Sequence, residues 1–388
     1  MPSYHPQEQT LAELPVPGAE EIAHSARLVE YLVGSIERNG GSLSFRDYMD
    51  GLLYAPGLGY YSAGLGKFGR EGDFVTAPEI SPLFGYTLAR QCRQLFDQGC
   101  NASILEFGAG SGKLCAQILS RLDEAVEYLI LEVSADLRDR QQANLRSQLD
   151  EKRFSRIRWL ERLPRKFEGV VLANEVLDAM PVNLLEKRQQ WVELGVGFDG
   201  ERFVFKDYTP GGEAVDAMRK IEAETGELPE GYRTEVNLNY RPWLAALGEA
   251  CERAALLLID YGYERAGYYH PGRSTGTLLC HYRHRVHDDP LILPGLQDIT
   301  ASVDFDAVAD AAEESGFVVE GLVSQSRFLI ANGLLQEADG FGGDDTLARV
   351  AVAQQVKTLT MPGDMGERFK VIGLGKNLGF APNVFSTR

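Results

Sequence analysis

The feature with the clearest chemical potential is a glycine-rich turn that follows a short apolar run. Residues 104–112 read ILEFGAGSG, so a predicted strand ends in Glu106 and leads through Gly108, Gly110 and Gly112 towards a predicted helix. Because glycine has no Cβ, such a turn lets the backbone approach a ligand closely. A carboxylate at the strand end can hold an ammonium group through a charge-assisted hydrogen bond. The turn is a predicted ligand site, with a purely structural turn as the alternative.

Two phosphate-binding motifs are excluded by their spacing. A dinucleotide site needs GxGxxG, whose third glycine would fall at Lys113. A P-loop needs four residues between its first glycine and the Gly-Lys pair, and then Ser or Thr. Only three residues separate Gly108 from Gly112, and Leu114 follows Lys113. S-adenosylmethionine has no pyrophosphate, so its site needs no phosphate cradle, and the turn is predicted to bind it with Glu106 on the methionine amino group.

Polar side chains also follow the second and fourth predicted strands. Glu132 closes the run LILE, about where an acid that binds ribose hydroxyls is expected, roughly 20 residues after the turn. Asn174, Glu175 and Asp178 follow the run VVLA, at the edge where open α/β sheets bind ligands. Capping of a helix by Asn174 or Asp178 is the alternative. The predicted cofactor-binding residues are Glu106, Gly108, Gly110, Gly112, Glu132 and Asn174.

Short apolar runs that alternate with helical patterns supply the elements that position these residues. This alternation predicts a parallel sheet with helices on both faces. The predicted strands are 103–107, 128–133, 157–160, 169–173, 255–260, 317–323 and 369–374. The predicted helices between and after them are 113–122, 134–150, 243–253 and 302–315.

The chain is predicted to have three parts. Residues 1–100 form an N-terminal extension with helices at 21–38, 44–53 and 88–96 and a long loop at 59–85. Residues 101–183 and 241–388 form the core. Residues 184–240 form an insertion, which opens with a hairpin whose predicted two-residue turn is Asp199-Gly200 and continues as irregular chain over 209–239. The insertion is expected to shape the substrate groove, and the long loop is expected to be functional.

Charge and composition indicate a globular protein with an acidic surface. The 388 residues are 44% hydrophobic and 24% charged, and the formal net charge is −17. An acidic surface repels phosphate backbones, so no nucleic-acid partner is predicted. The N-terminus lacks a signal-peptide pattern and no apolar run approaches about 18 residues, so a cytoplasmic location without a membrane span is predicted. Five scattered cysteines without CxxC spacing indicate neither a zinc site nor a disulfide framework.

Several longer segments resemble one family. The chain is similar to the MidA-type methyltransferases from about residue 25 to the C-terminus; mitochondrial members of that family are protein arginine methyltransferases that assist assembly of respiratory complex I. The family commonly has Pro at the position of Ala109 and His at the position of Ser302, and neither difference bears on cofactor binding. The matching segments, in chain order, are GDFVTAPEIS (72–81), LEFGAGSG (105–112), ANEVLDAMPV (173–182), IDYGY (259–263) and PGLQDITASVDF (294–305).

The resemblance implies an α/β class I methyltransferase (Rossmann-like) fold. Its sheet would be mainly parallel and seven-stranded with an antiparallel final strand, next to an N-terminal helical extension and an α+β insertion. S-adenosylmethionine would be the cofactor and a protein arginine the substrate. Residues 72–81 would form a lid over the cofactor pocket.

Arginine as a substrate requires carboxylates, because its guanidinium is always protonated. Carboxylates can hold the group bidentately and draw its charge away from the attacking nitrogen. Our hypothesis assigns this catalytic task to Glu175 and Asp178, with Asp73 and Glu79 from the lid in support. A nucleic-acid or small-molecule methyltransferase, and a non-catalytic assembly factor with the same fold, are the alternatives.

Other polar residues are weaker candidates. Glu235 in the insertion is predicted to be a solvated surface acid. His281, His284 and His287 are predicted to lie in a loop that faces the pocket or a partner, and no metal site is predicted there. Asp260, at the end of the fifth strand, either lines the cleft or caps a turn.

Overall fold

The computed structural model describes residues 14–63, 76–122, 125–209, 212–341, 343, 345–380 and 382–386. The chain divides into two compact units. The first contains Met1–Phe74, Asp178–Asn239 and Tyr263–Asp304, and the second contains Val75–Leu177, Tyr240–Gly262 and Phe305–Arg388. This grouping differs from the predicted parts, because residues 75–100 belong with the large sheet and residues 263–304 belong with the insertion.

The described helices and strands are as follows. The helices are α1 (Ala19–Arg38), α2 (Phe45–Tyr54), α3 (Ala77–Ile80), α4 (Pro82–Asp97), α5 (Lys113–Arg121), α6 (Ala135–Gln148), α7 (Glu151–Phe154), α8 (Glu213–Thr225), α9 (Tyr240–Ala250), α10 (Arg265–Tyr268), α11 (Phe305–Glu314), α12 (Gln325–Ala331), α13 (Leu334–Asp339), α14 (Thr346–Thr360) and α15 (Asn383–Ser386). The strands are β1 (Leu43–Ser44), β2 (Ser103–Phe107), β3 (Glu127–Leu131), β4 (Ile157–Leu160), β5 (Phe167–Asn174), β6 (Asn183–Lys187), β7 (Trp191–Phe198), β8 (Phe203–Tyr208), β9 (Arg233–Val236), β10 (Cys251–Tyr263), β11 (Leu279–Tyr282), β12 (Arg285–His287), β13 (Asp298–Thr300), β14 (Val303–Asp304), β15 (Val318–Ser324) and β16 (Phe369–Lys376). Of these described helices, none combines the length and the apolar character that a membrane crossing requires.

The second unit is built on a seven-stranded path with the order β15-β16-β10-β5-β2-β3-β4. Strands β10, β5, β2, β3 and β4 are parallel, whereas β16 is antiparallel to both of its neighbours. Apolar runs such as Val170–Ala173 and Leu256–Ile259 are buried, as expected for strands covered on both faces. The predicted class I fold, including its antiparallel final strand, is confirmed.

The helix α4 begins earlier than the sequence analysis predicted. Ser81 is its N-cap and accepts a hydrogen bond from the backbone N–H of Leu83, and Pro82 occupies the first helical position. Its apolar face, which includes Leu88 and Cys92, packs into the core of the second unit. The predicted loop at 59–85 is therefore wrong for residues 77–85, where α3 and the start of α4 lie.

The first unit contains two antiparallel sheets. One has the order β1-β7-β6-β9 with β8 paired to β7, and the other has the order β12-β11-β13. The β7–β8 hairpin is confirmed, but its turn has four residues, because the Asp199 carboxylate accepts hydrogen bonds from the N–H groups of Glu201 and Arg202. The prediction of irregular chain over 209–239 is wrong, since α8 and β9 lie there.

Candidate active site

The glycine turn has a backbone that only glycine adopts without strain. Gly108, Gly110 and Gly112 have φ values of 62°, 52° and 81°. A Cβ on Gly108 would lie 2.7 Å from Cγ2 of Val176. A Cβ on Gly112 would lie 3.2 Å from the side chain of Leu145. Close packing against Val176, which follows β5, and against Leu145 on α6 therefore leaves no room for a side chain at these two glycines.

Two amide side chains on α6 hold this turn. Gln141, which is fully buried, donates from Nε2 to the carbonyl oxygen of Gly110 (3.1 Å) and to Oε2 of Glu132 (3.2 Å). Asn144 donates from Nδ2 to the carbonyl oxygen of Ser111 (2.7 Å). Neither amide is among the residues predicted from the sequence. Their spacing of three residues, on the helix that follows Glu132, was the available signal.

Glu132 lies at the end of β3, as predicted, and is half-buried. Its Oε1 accepts a hydrogen bond from the N–H of Ser134 (2.8 Å) and its Oε2 accepts one from Gln141. Burial raises the pKa of Glu132, although these hydrogen bonds oppose the rise. A carboxylate has about four acceptor positions, so both oxygens retain capacity for ribose hydroxyls. Its cofactor role stays a prediction.

Glu106 lies near the end of β2 and is buried. It is 2% exposed, and its Oε2 accepts a hydrogen bond from the hydroxyl of Tyr128 (2.9 Å). Burial raises the pKa of Glu106 to about 7, and the hydrogen bond from Tyr128 opposes this effect. An ammonium group placed against this carboxyl would favour its charged form. The predicted contact with the methionine amino group stays a prediction.

The turn after β5 carries a strained acidic residue. Glu175 has a φ of 54°, in the left-handed region that non-glycine residues rarely adopt. Its N–H donates to the carbonyl oxygen of Ile259 (2.9 Å). The next two N–H groups, of Val176 and Leu177, donate to Oδ2 of Asp260 at 3.1 and 2.9 Å. The surrounding bonds therefore impose the strain, as is common where a side chain is presented for function.

Asp260 is the residue that organises this turn. It is fully buried, and its Oδ1 also accepts a hydrogen bond from the N–H of Tyr261 (2.9 Å). Of the two roles that the sequence left open, the structure shows the capping one. Asp260 is thus a positioning residue for the turn that carries Glu175.

The side chains of Asn174 and Glu175 face each other. Oε1 of Glu175 accepts hydrogen bonds from Nδ2 of Asn174 (3.1 Å) and from the N–H of Ala77 (3.4 Å). Oδ1 of Asn174 is buried and receives no hydrogen bond from the described residues. Because Ala173 pairs with Phe107, Asn174 at the end of β5 lies beside Gly108, which follows β2. A ligand at the glycine turn that donates a hydrogen bond would satisfy it.

Glu79 ties α3 to the glycine turn. Its Oε1 accepts a hydrogen bond from Oγ of Ser111 (2.6 Å), and its Oε2 forms an ion pair with Lys113. A second link runs from Nε2 of Gln117 to the carbonyl oxygen of Pro78 (2.8 Å). These contacts favour a positioning role, and the catalytic role for Glu79 stays a prediction.

The remaining predicted catalytic residues are not brought to this turn by the described contacts. Asp73 lies outside the described residues, together with the rest of the first four residues of the predicted lid, 72–75. Asp178 belongs to the first unit, where it is buried and its carbonyl oxygen accepts a hydrogen bond from the N–H of Ala301 (2.9 Å). Both assignments stay predictions.

The prediction that Glu235 is a solvated surface acid is wrong. Glu235 is fully buried in the first unit. Its Oε2 accepts hydrogen bonds from the N–H and Oγ1 of Thr277 (both 2.9 Å) and from the hydroxyl of Tyr268 (3.2 Å). Its partners lie more than 30 residues away in sequence, so local polarity could not reveal its burial.

The histidine segment forms the hairpin of β11 and β12. Cys280 pairs with His287 and His281 pairs with Val286, while Arg283 and His284 occupy the turn with positive φ. Among the residues that the structure describes, no group of three or more His, Cys, Asp or Glu side chains could hold a metal ion.

The arrangement of a glycine turn, a strand-end acid and a capped acidic turn agrees with comparisons to known proteins. Residues 87–323 match the family described as "Putative S-adenosyl-L-methionine-dependent methyltransferase". The chain belongs to this methyltransferase family. It is an S-adenosylmethionine-dependent methyltransferase, so the predicted family, enzyme class and cofactor are confirmed.

Individual relatives cover most of the chain. The mitochondrial protein arginine methyltransferase NDUFAF7 homolog of Drosophila melanogaster is 30% identical over 382 residues, which cover 86% of this chain and 82% of the relative. The human NDUFAF7 protein is 28% identical over 384 residues, which cover 87% and 81%. A Burkholderia thailandensis protein, crystallised with S-adenosyl-homocysteine, is 43% identical with a TM-score of 0.91 over 96% of this chain and 98% of that one.

The predicted cytoplasmic location is contradicted by these comparisons. The curated relatives, including those of Drosophila melanogaster, Danio rerio and Homo sapiens, are named as mitochondrial proteins. The sequence-based prediction rested on the absence of a signal-peptide pattern, which does not distinguish between compartments inside the cell.

Proposed function

We propose that the enzyme transfers a methyl group to a guanidinium nitrogen of an arginine in a protein substrate. The observation that carries the proposal is the strained turn of Glu175, which directly follows the sheet strand beside the cofactor turn. The substrate class is supported by the names of the relatives, which are protein arginine methyltransferases.

The residues at the turn would hold the cofactor in the following way. The backbone of Gly108, Gly110 and Gly112 admits it closely, and Glu132 accepts hydrogen bonds from its ribose. The free acceptor of Asn174 and the carboxyl of Glu106 receive its amino end. When bound, S-adenosylmethionine supplies an electrophilic methyl group on a sulfonium.

Glu175 would hold the substrate arginine. A guanidinium is planar and always charged, and a carboxylate can bind two of its N–H groups at once. At Glu175 the arginine would use Oε2 and, in place of the long contact from the N–H of Ala77 (3.4 Å), Oε1. This contact would draw positive charge towards the bound nitrogens and fix the third nitrogen for in-line attack on the methyl carbon. The nitrogen–carbon bond would form as the carbon–sulfur bond breaks, S-adenosyl-homocysteine would leave, and the proton lost by that nitrogen would pass to water. Asp260 supports the reaction indirectly, because its hydrogen bonds set the direction in which Glu175 points. Asp178, Asp73 and Glu79 stay predicted supporting acids, and the proposal does not depend on them.

The test identifies the methylated amino acid. Protein extract from cells that lack this enzyme is incubated with methyl-tritiated S-adenosylmethionine and the purified enzyme, and labelled protein is hydrolysed to amino acids. We expect the label in methylated arginine. Label in lysine or histidine, or only in nucleic acid or small molecules, would overturn the arginine assignment.

The Glu175→Gln variant provides the matched control. It keeps the size of the side chain and removes the charge, and loss of a charge-assisted hydrogen bond costs about 1.5–3 kcal/mol. We expect arginine methylation to fall by about 10- to 100-fold while S-adenosyl-homocysteine binds as before by calorimetry. Unchanged turnover would remove Glu175 from the mechanism.

A further inference from the structure

Positive charge is concentrated in one segment of this acidic enzyme. Residues 151–168, here called the basic edge, contain seven cationic and three acidic side chains, a net charge of +4 in a chain of −17. The cationic residues are Lys152, Arg153, Arg156, Arg158, Arg162, Arg165 and Lys166. All except Arg153 are exposed. Such a local concentration attracts anionic partners despite the opposite net charge.

The basic edge surrounds the last strand of the sheet. Strand β4 stands at the end of the strand order and pairs with β3. The N–H of Tyr128 donates to the carbonyl oxygen of Arg156, and the N–H of Glu132 donates to that of Leu160. Because strand residues alternate, the main-chain groups of Ile157 and Trp159 face away from β3. Within the described chain no further strand pairs with this side.

Four of the seven cations of the basic edge form no ion pair with a carboxylate of the described residues. Arg158 lies 3.3 Å from Glu127, and Arg153 is paired with Asp150. No carboxylate of the described chain forms an ion pair with Arg156, Arg162, Arg165 or Lys166. One or two charges of either sign would protect an edge strand from aggregation. The net charge of +4 on the basic edge is larger than this protection requires, and it favours an acidic partner.

We propose that the basic edge docks an extended acidic segment of a partner polypeptide as an added strand on β4. The open main-chain edge distinguishes this partner from other anions, because only a polypeptide can continue the backbone hydrogen bonding of the sheet. A lipid headgroup or a nucleic acid would use the cations alone. The flanking arginines then favour acidic side chains on the added strand.

The binding test uses a pair of peptides with equal charge. Fluorescein-labelled (Glu-Val)5 can form a strand, whereas the same peptide with every backbone amide N-methylated cannot donate backbone hydrogen bonds. Fluorescence anisotropy with the full-length enzyme at low salt should show (Glu-Val)5 binding at least about tenfold tighter. Binding should weaken as salt increases. Equal affinity for the two peptides, or no binding of (Glu-Val)5, would overturn the proposal.

Charge-reversal variants locate the surface. The triple variant Arg156→Glu/Arg162→Glu/Arg165→Glu should bind (Glu-Val)5 at least about tenfold more weakly, because exposed charge contacts contribute up to about 1 kcal/mol each. The matched control Arg219→Glu/Arg241→Glu/Arg349→Glu alters exposed arginines elsewhere and should stay within about twofold. Both should bind S-adenosyl-homocysteine normally. The proposal would be rejected if both variants lost affinity for (Glu-Val)5 equally. It would also be rejected if the enzyme bound phosphatidylserine vesicles or dT20 through the basic edge but did not bind (Glu-Val)5.

Discussion

The left-handed conformation of Glu175 leads to an unusual prediction about two substitutions. Glu175→Ala and Glu175→Gly both remove the carboxylate and its hydrogen bonds to Asn174 and Ala77. They differ in whether a Cβ remains at a φ of 54°. At ordinary positions alanine is more stable than glycine, because glycine gains more freedom in the unfolded chain. At position 175 we expect the reverse order.

The size of the difference follows from two opposing terms. A left-handed conformation costs a residue with a Cβ about 1–2 kcal/mol, and glycine avoids this cost. The greater freedom of glycine in the unfolded chain opposes this by about 0.4–1 kcal/mol. The free energy of unfolding of Glu175→Gly should therefore be higher than that of Glu175→Ala by up to about 1.5 kcal/mol. Both variants should lose arginine methylation, since neither carries a carboxylate.

The measurement is urea unfolding followed by circular dichroism. With slopes of about 1–3 kcal/mol per molar urea, the Glu175→Gly midpoint should lie several tenths of a molar above that of Glu175→Ala. Calorimetry with S-adenosyl-homocysteine checks that both variants retain a folded cofactor site. If Glu175→Ala is the more stable protein, the turn is not strained and the explanation for its geometry fails.

Three further predictions concern the cofactor turn and its support. Gly108→Ala places a Cβ 2.7 Å from Val176 at a φ of 62°, so S-adenosyl-homocysteine should bind at least about tenfold more weakly. Adding Val176→Ala to this variant should restore only part of the lost affinity, because the backbone strain at position 108 remains. Burial raises the pKa of Glu106 to about 7, so the charged fraction of Glu106 should fall roughly tenfold from pH 8 to pH 6. The affinity for S-adenosyl-homocysteine, measured by calorimetry, should fall by the same factor. If Glu106→Gln shows the same pH dependence, another group is responsible. Asp260→Asn weakens the capping of the turn, so turnover should fall at least about tenfold, while cofactor affinity should stay within about threefold of the unmodified enzyme. Equal losses of turnover and of cofactor affinity would indicate general unfolding and not misplacement of Glu175.

The large sheet could be predicted because its strands are short, almost continuous apolar runs. Residues 157–160 matched β4 in full, and the glycine turn was recognisable because its glycines precede a helix at fixed spacing. Residues 209–239 were not predicted, because frequent charged residues hide the buried face of Ala214, Met218 and Ile221.

The supporting residues of the site could not be predicted, because their roles depend on contacts between distant segments. Asp260 caps a turn more than 80 residues earlier in the chain, and Glu235 is buried by a turn about 40 residues later. Sequence placed acids at strand ends, but it could not show which of them receive backbone hydrogen bonds. The position of an acid at the end of a strand can be predicted from the neighbouring residues. Its hydrogen-bond partners are known only once the chain is folded.

The buried amide of Gln141 has a consequence for observing this enzyme. Its Nε2 contacts the glycine turn and the acid of β3, while its Oε1 accepts a hydrogen bond from the indole of Trp159 (2.9 Å). Any shift of the amide is therefore transmitted to an intrinsic fluorophore. The emission of Trp159 should report occupancy of the turn without an added label, so that association and release could be followed in real time by stopped-flow optics.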